Sequence, residues 1–120
     1  MRAILIDPVE KKIEEITLER PNKSLQEFYE IIGTDLVEIV TLDRGIILVC
    51  DECGKLKEIK GAFKFWCVDD LVIAGKAVVI GENTRGAFCD LFEGVETFEK
   101  IVEWVDPDDV PEPEIRVFSL

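Results

Sequence analysis

Val72-Ile73-Ala74-Gly75-Lys76-Ala77-Val78-Val79-Ile80-Gly81 decides the fold class of this chain. Two apolar runs rich in β-branched residues meet at Gly75-Lys76. The first leads into the second, which is the clearest buried-strand candidate after the opening run of the chain. Ala77 to Ile80 carries no polar residue and reads as a buried strand. The opening run Ala3-Ile4-Leu5-Ile6, stopped by Asp7-Pro8, is the other clear case.

Outward from these runs the pattern is that of hairpins. Lys11 to Leu18 alternates at Ile16 and Leu18 against Glu15, Thr17 and Glu19, and forms a hairpin with the first strand across Pro8–Glu10. Leu36–Leu42 and Gly45–Cys50 flank Asp43-Arg44-Gly45, a second hairpin. On the first of these strands Val37, Ile39 and Thr41 share one face, and Leu36, Glu38, Val40 and Leu42 the other. Asp51–Gly54 is a turn, followed by a weak alternation at Leu56, Glu58 and Lys60. Gly61–Asp70 crowds Phe63, Phe65, Trp66 and Val68 with no clear period, and Glu82–Gly86 is a turn or exposed loop.

Two segments have helical spacing. Ser24-Leu25-Gln26-Glu27 reads as a capping box, with Leu25, Phe28, Ile31 and Ile32 forming an apolar stripe and Gly33 the stop. Val95, Phe98, Ile101, Val102 and Val105 predict a second amphipathic helix, with Glu96, Glu99 and Glu103 on its polar side. The expected fold is α+β: a mostly antiparallel sheet with two short helices packed on it. Residues 1–105 form one domain in this reading. Residues 106–120 form an acidic tail punctuated by Pro107, Pro111 and Pro113, with Ile115–Leu120 as a final edge strand.

Composition bounds the partners. The chain has 120 residues, 26 Asp and Glu against 14 Lys and Arg, no histidine and a net charge of −12, yet is 48% hydrophobic. That apolar content suits one folded domain and excludes a disordered acidic polymer. The acidic excess is heaviest near the end, where Glu103, Asp106, Asp108, Asp109, Glu112 and Glu114 follow one another with no base between them. Such a field disfavours direct contact with a phosphate backbone, whose binding relies on basic residues that release counterions. No run approaches the roughly 18 apolar residues of a membrane span. Met1–Pro8 is no signal peptide, so a cytoplasmic location with reduced cysteines is expected.

Chemistry-bearing motifs are sparse. Cys50-Asp51-Glu52-Cys53 has the spacing of a metal knuckle, with Cys67 and Cys89 as further ligands, but the second close pair of a zinc site is missing. Cys50, Cys67 and Cys89 each follow apolar residues and read as small core hydrophobes. The Asp-Glu spacer would raise a thiolate pKa, which argues against a redox pair. Without histidine no side chain titrates near neutrality unperturbed. Asp69-Asp70 and Asp106-Asp108-Asp109 match no spaced cation loop, and no phosphate-binding glycine motif occurs. No catalytic residue, metal ligand or cofactor is assigned. Phe65 and Trp66, and separately Trp104, are candidate interface anchors, against the simpler reading that the tryptophans cover the edge of the core.

The order of segments resembles domain-of-unknown-function family 3846, a set of small phage and plasmid proteins. The resemblance rests on Ala3-Ile4-Leu5-Ile6-Asp7-Pro8, on Leu25 to Gly33 followed by Asp35-Leu36-Val37-Glu38, on Asp51-Glu52-Cys53-Gly54 with Leu56-Lys57, and on Ile73 to Gly81. It spans about residues 2–104 and implies a mobile-element origin, with no agreed activity to carry over. The chain departs from the family at Ile59–Trp66, in the tail after Trp104, and at Cys53, where the family pattern has an acid or another residue.

Three functions remain open on these grounds. The first is a non-enzymatic accessory protein that binds a host or phage protein of basic surface through Glu96, Glu99, Glu103, Trp104, Asp106, Asp108, Asp109, Phe65 and Trp66. In its sharper form this protein imitates nucleic acid or inhibits host defence. The second is a domain whose acidity serves solubility, and the third a small module with zinc held by the cysteines. Acids spaced along one ridge would favour the first, and acids interspersed with lysines would count against it. Exposed sheet edges also allow a homodimer.

Overall fold

The computed structural model describes residues 1–111. Along the chain run β1 (Arg2–Asp7), β2 (Lys12–Thr17), α1 (Gln26–Ile32), β3 (Val37–Asp43) and β4 (Ile46–Asp51). They are followed by β5 (Ala62–Phe65), β6 (Val72–Ala74), β7 (Ala77–Glu82), β8 (Phe88–Cys89), α2 (Val95–Ile101) and β9 (Val102–Val105). The fold is α+β, with antiparallel pairing throughout and two short helices packed on the strands.

Two sheets stand where the sequence predicts one. The larger has the order β2-β1-β7-β4-β3, with β8 pairing against the end of β7; the smaller has the order β6-β5-β9. Ile4 and Leu48 both lie opposite Val79, so β7 is held from both sides at the centre of the large sheet. Strand alternation then sorts the core into two halves. Ala3, Leu5, Ile47, Val49, Val78 and Ile80 face α1 and meet Phe28 and Ile32. Ile4, Ile6, Leu48, Cys50, Ala77 and Val79 face the other way, onto Phe63, Phe65 and Ile73 of the small sheet and Phe98 of α2. Each large side chain buried there stabilises the fold by about 1.5–3 kcal/mol. Because the central strands are covered above and below, their middles are apolar at successive positions rather than at alternate ones.

The two runs flanking Gly75 belong to different sheets. Gly75 has φ +89, a left-handed conformation open to glycine, and its N–H donates to the Gly61 carbonyl at 2.9 Å. There the chain leaves β6 and enters β7. At the end of α1, Gly33 is also left-handed (φ +80), as the sequence predicts for a helix stop.

Three local expectations need correction. The capping box at Ser24 is not formed: α1 starts after Leu25 with no side-chain cap, and the Ser24 hydroxyl accepts from the Gln26 N–H at 3.1 Å. Glu27 instead accepts from the Glu19 N–H at 2.8 Å and the Arg20 N–H at 2.6 Å, two donors just past β2. The alternation at Leu56, Glu58 and Lys60 makes no strand, because Gly54–Leu56 is a 3-10 turn and Leu56 is exposed. The second helix stops at Ile101 instead of continuing to Val105. Val102–Val105 is a strand that pairs with the edge of β5, Val102 opposite Phe65 and Trp104 opposite Phe63. A continued helix would have left that edge of β5 unpaired over buried residues, which costs more than the end of a short helix. The expected edge strand Ile115–Leu120 lies outside the described residues.

Candidate interaction surface

The residues singled out from the sequence are scattered: one lies in the core, three border two surface cavities or the core edge, and the remaining acids are exposed on α2, β9 and the turn after it. Phe65 is 1% exposed, its ring edge-on to Phe63 at 5.6 Å, so it is a core side chain and no interface anchor. Trp66, one residue on, is 62% exposed. It opens the turn after β5. Its backbone N–H donates to the Ile101 carbonyl at 3.0 Å and its indole N–H to the Lys100 carbonyl at 3.2 Å. The ring is thus latched to the last turn of α2, where carbonyls lack helical partners. A cavity of about 620 Å³ beside it is lined by Asp69 and Asp70 and by Lys55 and Lys64.

Trp104 lies on β9 rather than on α2. It is half-buried against the core and borders a second cavity of about 570 Å³, shared with Lys11, Lys12 and Glu99. Glu96 and Glu99 are exposed on α2. Glu103 is not on their face: it sits on β9 opposite Lys64, with the ammonium 3.5 Å from its carboxylate. The predicted polar side of Glu96, Glu99 and Glu103 therefore breaks at the helix–strand junction. Asp106 uses its carboxylate to accept from the Asp108 N–H at 2.9 Å, capping the 3-10 turn Pro107–Asp109, while Asp108 and Asp109 are exposed.

The four cysteines are free thiols in different surroundings. Cys50 is buried in the core between the two sheets, and burial, then Glu38 and Asp51, push its thiol up to about 12. Cys53 and Cys89 are half-buried. Cys67 is exposed, which corrects its reading as a core hydrophobe: it follows Trp66 into the turn after β5. Among the described residues no group of three or more Cys, Asp or Glu is placed to hold a metal ion. The acid beside Cys50 has its own partners. Burial would raise the pKa of Asp51, but the Lys57 ammonium at 2.7 Å, the Cys53 N–H at 2.9 Å and the Thr34 hydroxyl at 3.0 Å outweigh it and hold the carboxyl below its usual value. This network ties the turn after β4 to the segment before β3.

A family model described as Domain of unknown function (DUF3846) matches residues 1–106. The chain belongs to this family. The match covers both sheets, both helices and the start of the acidic segment, in agreement with the resemblance carried by the order of the strands. No curated protein and no solved structure matches the chain. Among the described residues of this DUF3846 protein no helix is long and apolar enough to cross a membrane.

One exposed aromatic escaped the sequence reading. Phe92, between β8 and α2, is 91% exposed. The signal was present as Asp90-Leu91-Phe92-Glu93-Gly94, an apolar pair between acids in a segment with neither helical nor strand period. Leu91 takes the core position there, at 2% exposure, and leaves Phe92 outside.

Proposed function

We propose that this DUF3846 protein is a non-enzymatic accessory protein of a mobile genetic element that binds a host or phage protein of basic surface. The observation that carries the reading is the pairing of charge with an anchored aromatic. A chain of net charge −12 presents Trp66 to solvent, latched by its own indole N–H, beside a cavity where Asp69 and Asp70 stand with Lys55 and Lys64. Aromatic anchors supply much of the energy where proteins dock, and a single-sign field steers a partner of opposite charge.

The arrangement weighs against the sharper form, imitation of nucleic acid. A phosphate-like ladder needs uninterrupted acids, whereas Lys64 faces Glu103 and Lys11 and Lys12 share a cavity with Glu99. Those same lysines favour a second reading, in which the acidity serves solubility alone. Affinity capture from the host with the wild-type chain, with Trp66→Ala and with Glu96→Gln/Glu99→Gln distinguishes the two. The proposal expects a defined basic protein that is retained by wild type, released by salt and lost from the variants. A captured set identical for all three chains at every salt concentration leaves solubility as the role of the charge.

A further inference from the structure

We propose that the groove beside Phe92 is the docking site for a basic segment of the partner protein that carries one exposed apolar side chain. This rests on the reading of the chain as a binder of basic proteins, and it gives that partner a second contact, apart from the Trp66 end. The groove, about 1090 Å³, lies where the β3–β4 turn, the β7–β8 turn and the segment before α2 converge. Ile46 and Leu91 contribute apolar wall and Phe92 stands at the rim. Around them the lining carries Asp43, Glu82, Asp90 and Glu93 with the base Arg44, and the Arg2 guanidinium lies behind the Phe92 and Glu93 carbonyls.

Phe92 differs from an ordinary stray surface apolar residue because the backbone on both sides of it is tied down. Asp90 accepts from the Arg2 N–H at 2.8 Å, and the Leu91 N–H donates to the Arg2 carbonyl at 2.9 Å. The Arg2 guanidinium donates to the Phe92 carbonyl and reaches the Glu93 carbonyl at 3.4 Å. Arg2 begins β1, so the loop is fastened to the rigid centre of the molecule. With Leu91 buried on one side, the Phe92 ring is held in water at 91% exposure instead of folding back onto the core. With the backbone already fixed, only the two side-chain torsions of Phe92 remain to be ordered when a partner covers the ring. Its neighbours set the chemistry of that partner. Carboxylates around an apolar floor accept lysine or arginine at the rim and an aliphatic side chain at the centre.

The test is a titration of the isotope-labelled full chain, followed by backbone amide shifts. The probe is a short synthetic peptide rich in lysine and arginine with one central leucine. Its controls replace the leucine by serine, or the bases by glutamate. The expected shifts cluster at residues 41–46, 82–86 and 90–93. Phe92→Ala weakens binding by about tenfold or more, as loss of a hot-spot aromatic does, while Phe92→Tyr retains it. The urea midpoint of Phe92→Ala should stay at the wild-type value, so the loss is not one of folding. Equal binding of the leucine and serine peptides, or unchanged affinity of Phe92→Ala, overturns the groove. Shifts confined to α2 and Trp66 also overturn it and leave the basic-partner reading standing. No binding of the basic peptide anywhere on the chain removes both.

Discussion

Around β1, β7 and β4 each successive side chain meets a partner, α1 on one face of the sheet and the small sheet on the other. At the α2–β9 end the chain has a neighbour on one side and water on the other. Phe65 and Trp66 stand at that boundary, adjacent in sequence and opposite in fate: one fills the space between the sheets, the other is mostly solvated. Position in the fold, more than residue type, decides whether an aromatic serves the core or the surface. Phe65 is the last residue of β5, whereas Trp66 opens the turn after it and is tied to the carbonyls of Lys100 and Ile101.

The sharpest way to break this contrast is to truncate both rings. Phe65→Ala should cost about 3–5 kcal/mol, the range for a buried aromatic whose cavity cannot collapse fully. Trp66→Ala should cost only about 0.5 kcal/mol, as for a surface substitution. Urea denaturation measures both, and similar losses for the two would erase the distinction between core and surface there.

A second test uses a thiol. Cys50, between the sheets, has a folded-state pKa of about 12 against an ordinary 9.0. Its neutral form contributes stability that is fully present below pH 9 and is lost as pH rises toward 12, because only the unfolded chain ionises in that window. Stability should therefore fall through this alkaline range in wild type and fall less in Cys50→Ala. Chemical denaturation at a series of alkaline pH values reads the difference.

A smaller effect is expected at Glu27, whose pKa is lowered by the N–H groups of Glu19 and then Arg20. Its contribution is present above the ordinary value of 4.5 and is lost as pH falls through the lower folded value. Glu27→Gln should lower stability at neutral pH by up to about 1 kcal/mol, since the bonds are charge-assisted but lie near solvent. It should also flatten the acid limb of the same curve. Smallest of all is the Lys64–Glu103 pair across β5 and β9. Both side chains are about half exposed, and Lys64→Ala should change stability by no more than about 0.5 kcal/mol. A loss several times larger would mean that the pair, and not Phe63 and Phe65 beneath it, holds β9 in place.

Much of the large sheet was legible because its signals are local. Ala3–Ile6 and Ala77–Ile80 are apolar without interruption, and Asp43-Arg44-Gly45 marks its own hairpin, so β1, β7, β3 and β4 follow from short windows. The capping box misled because Ser24 and Glu27 have the right spacing, yet the nearby donors of Glu19 and Arg20 took the glutamate. The second helix misled because Val95 to Val105 satisfies helical spacing throughout. The run Ile101-Val102-Glu103-Trp104-Val105, dense in β-branched and aromatic residues, carried the opposing signal. The candidate surface inherited that error. With β9 a strand, Glu103 left the line of Glu96 and Glu99, and Trp104 turned toward the core.

By itself, the sequence determined that the chain is an acidic α+β domain of the DUF3846 pattern, since net charge and the periods of apolar residues are properties of short stretches. Only the tertiary structure decided that the strands divide into two sheets, that Val102–Val105 pairs with β5, and that Trp66 and Phe92 stay in water while Phe65 does not. Those outcomes depend on which edges and faces distant segments offer one another. An unpaired strand edge or a gap over a sheet is filled by whatever part of the chain reaches it, and no window of neighbouring residues records that.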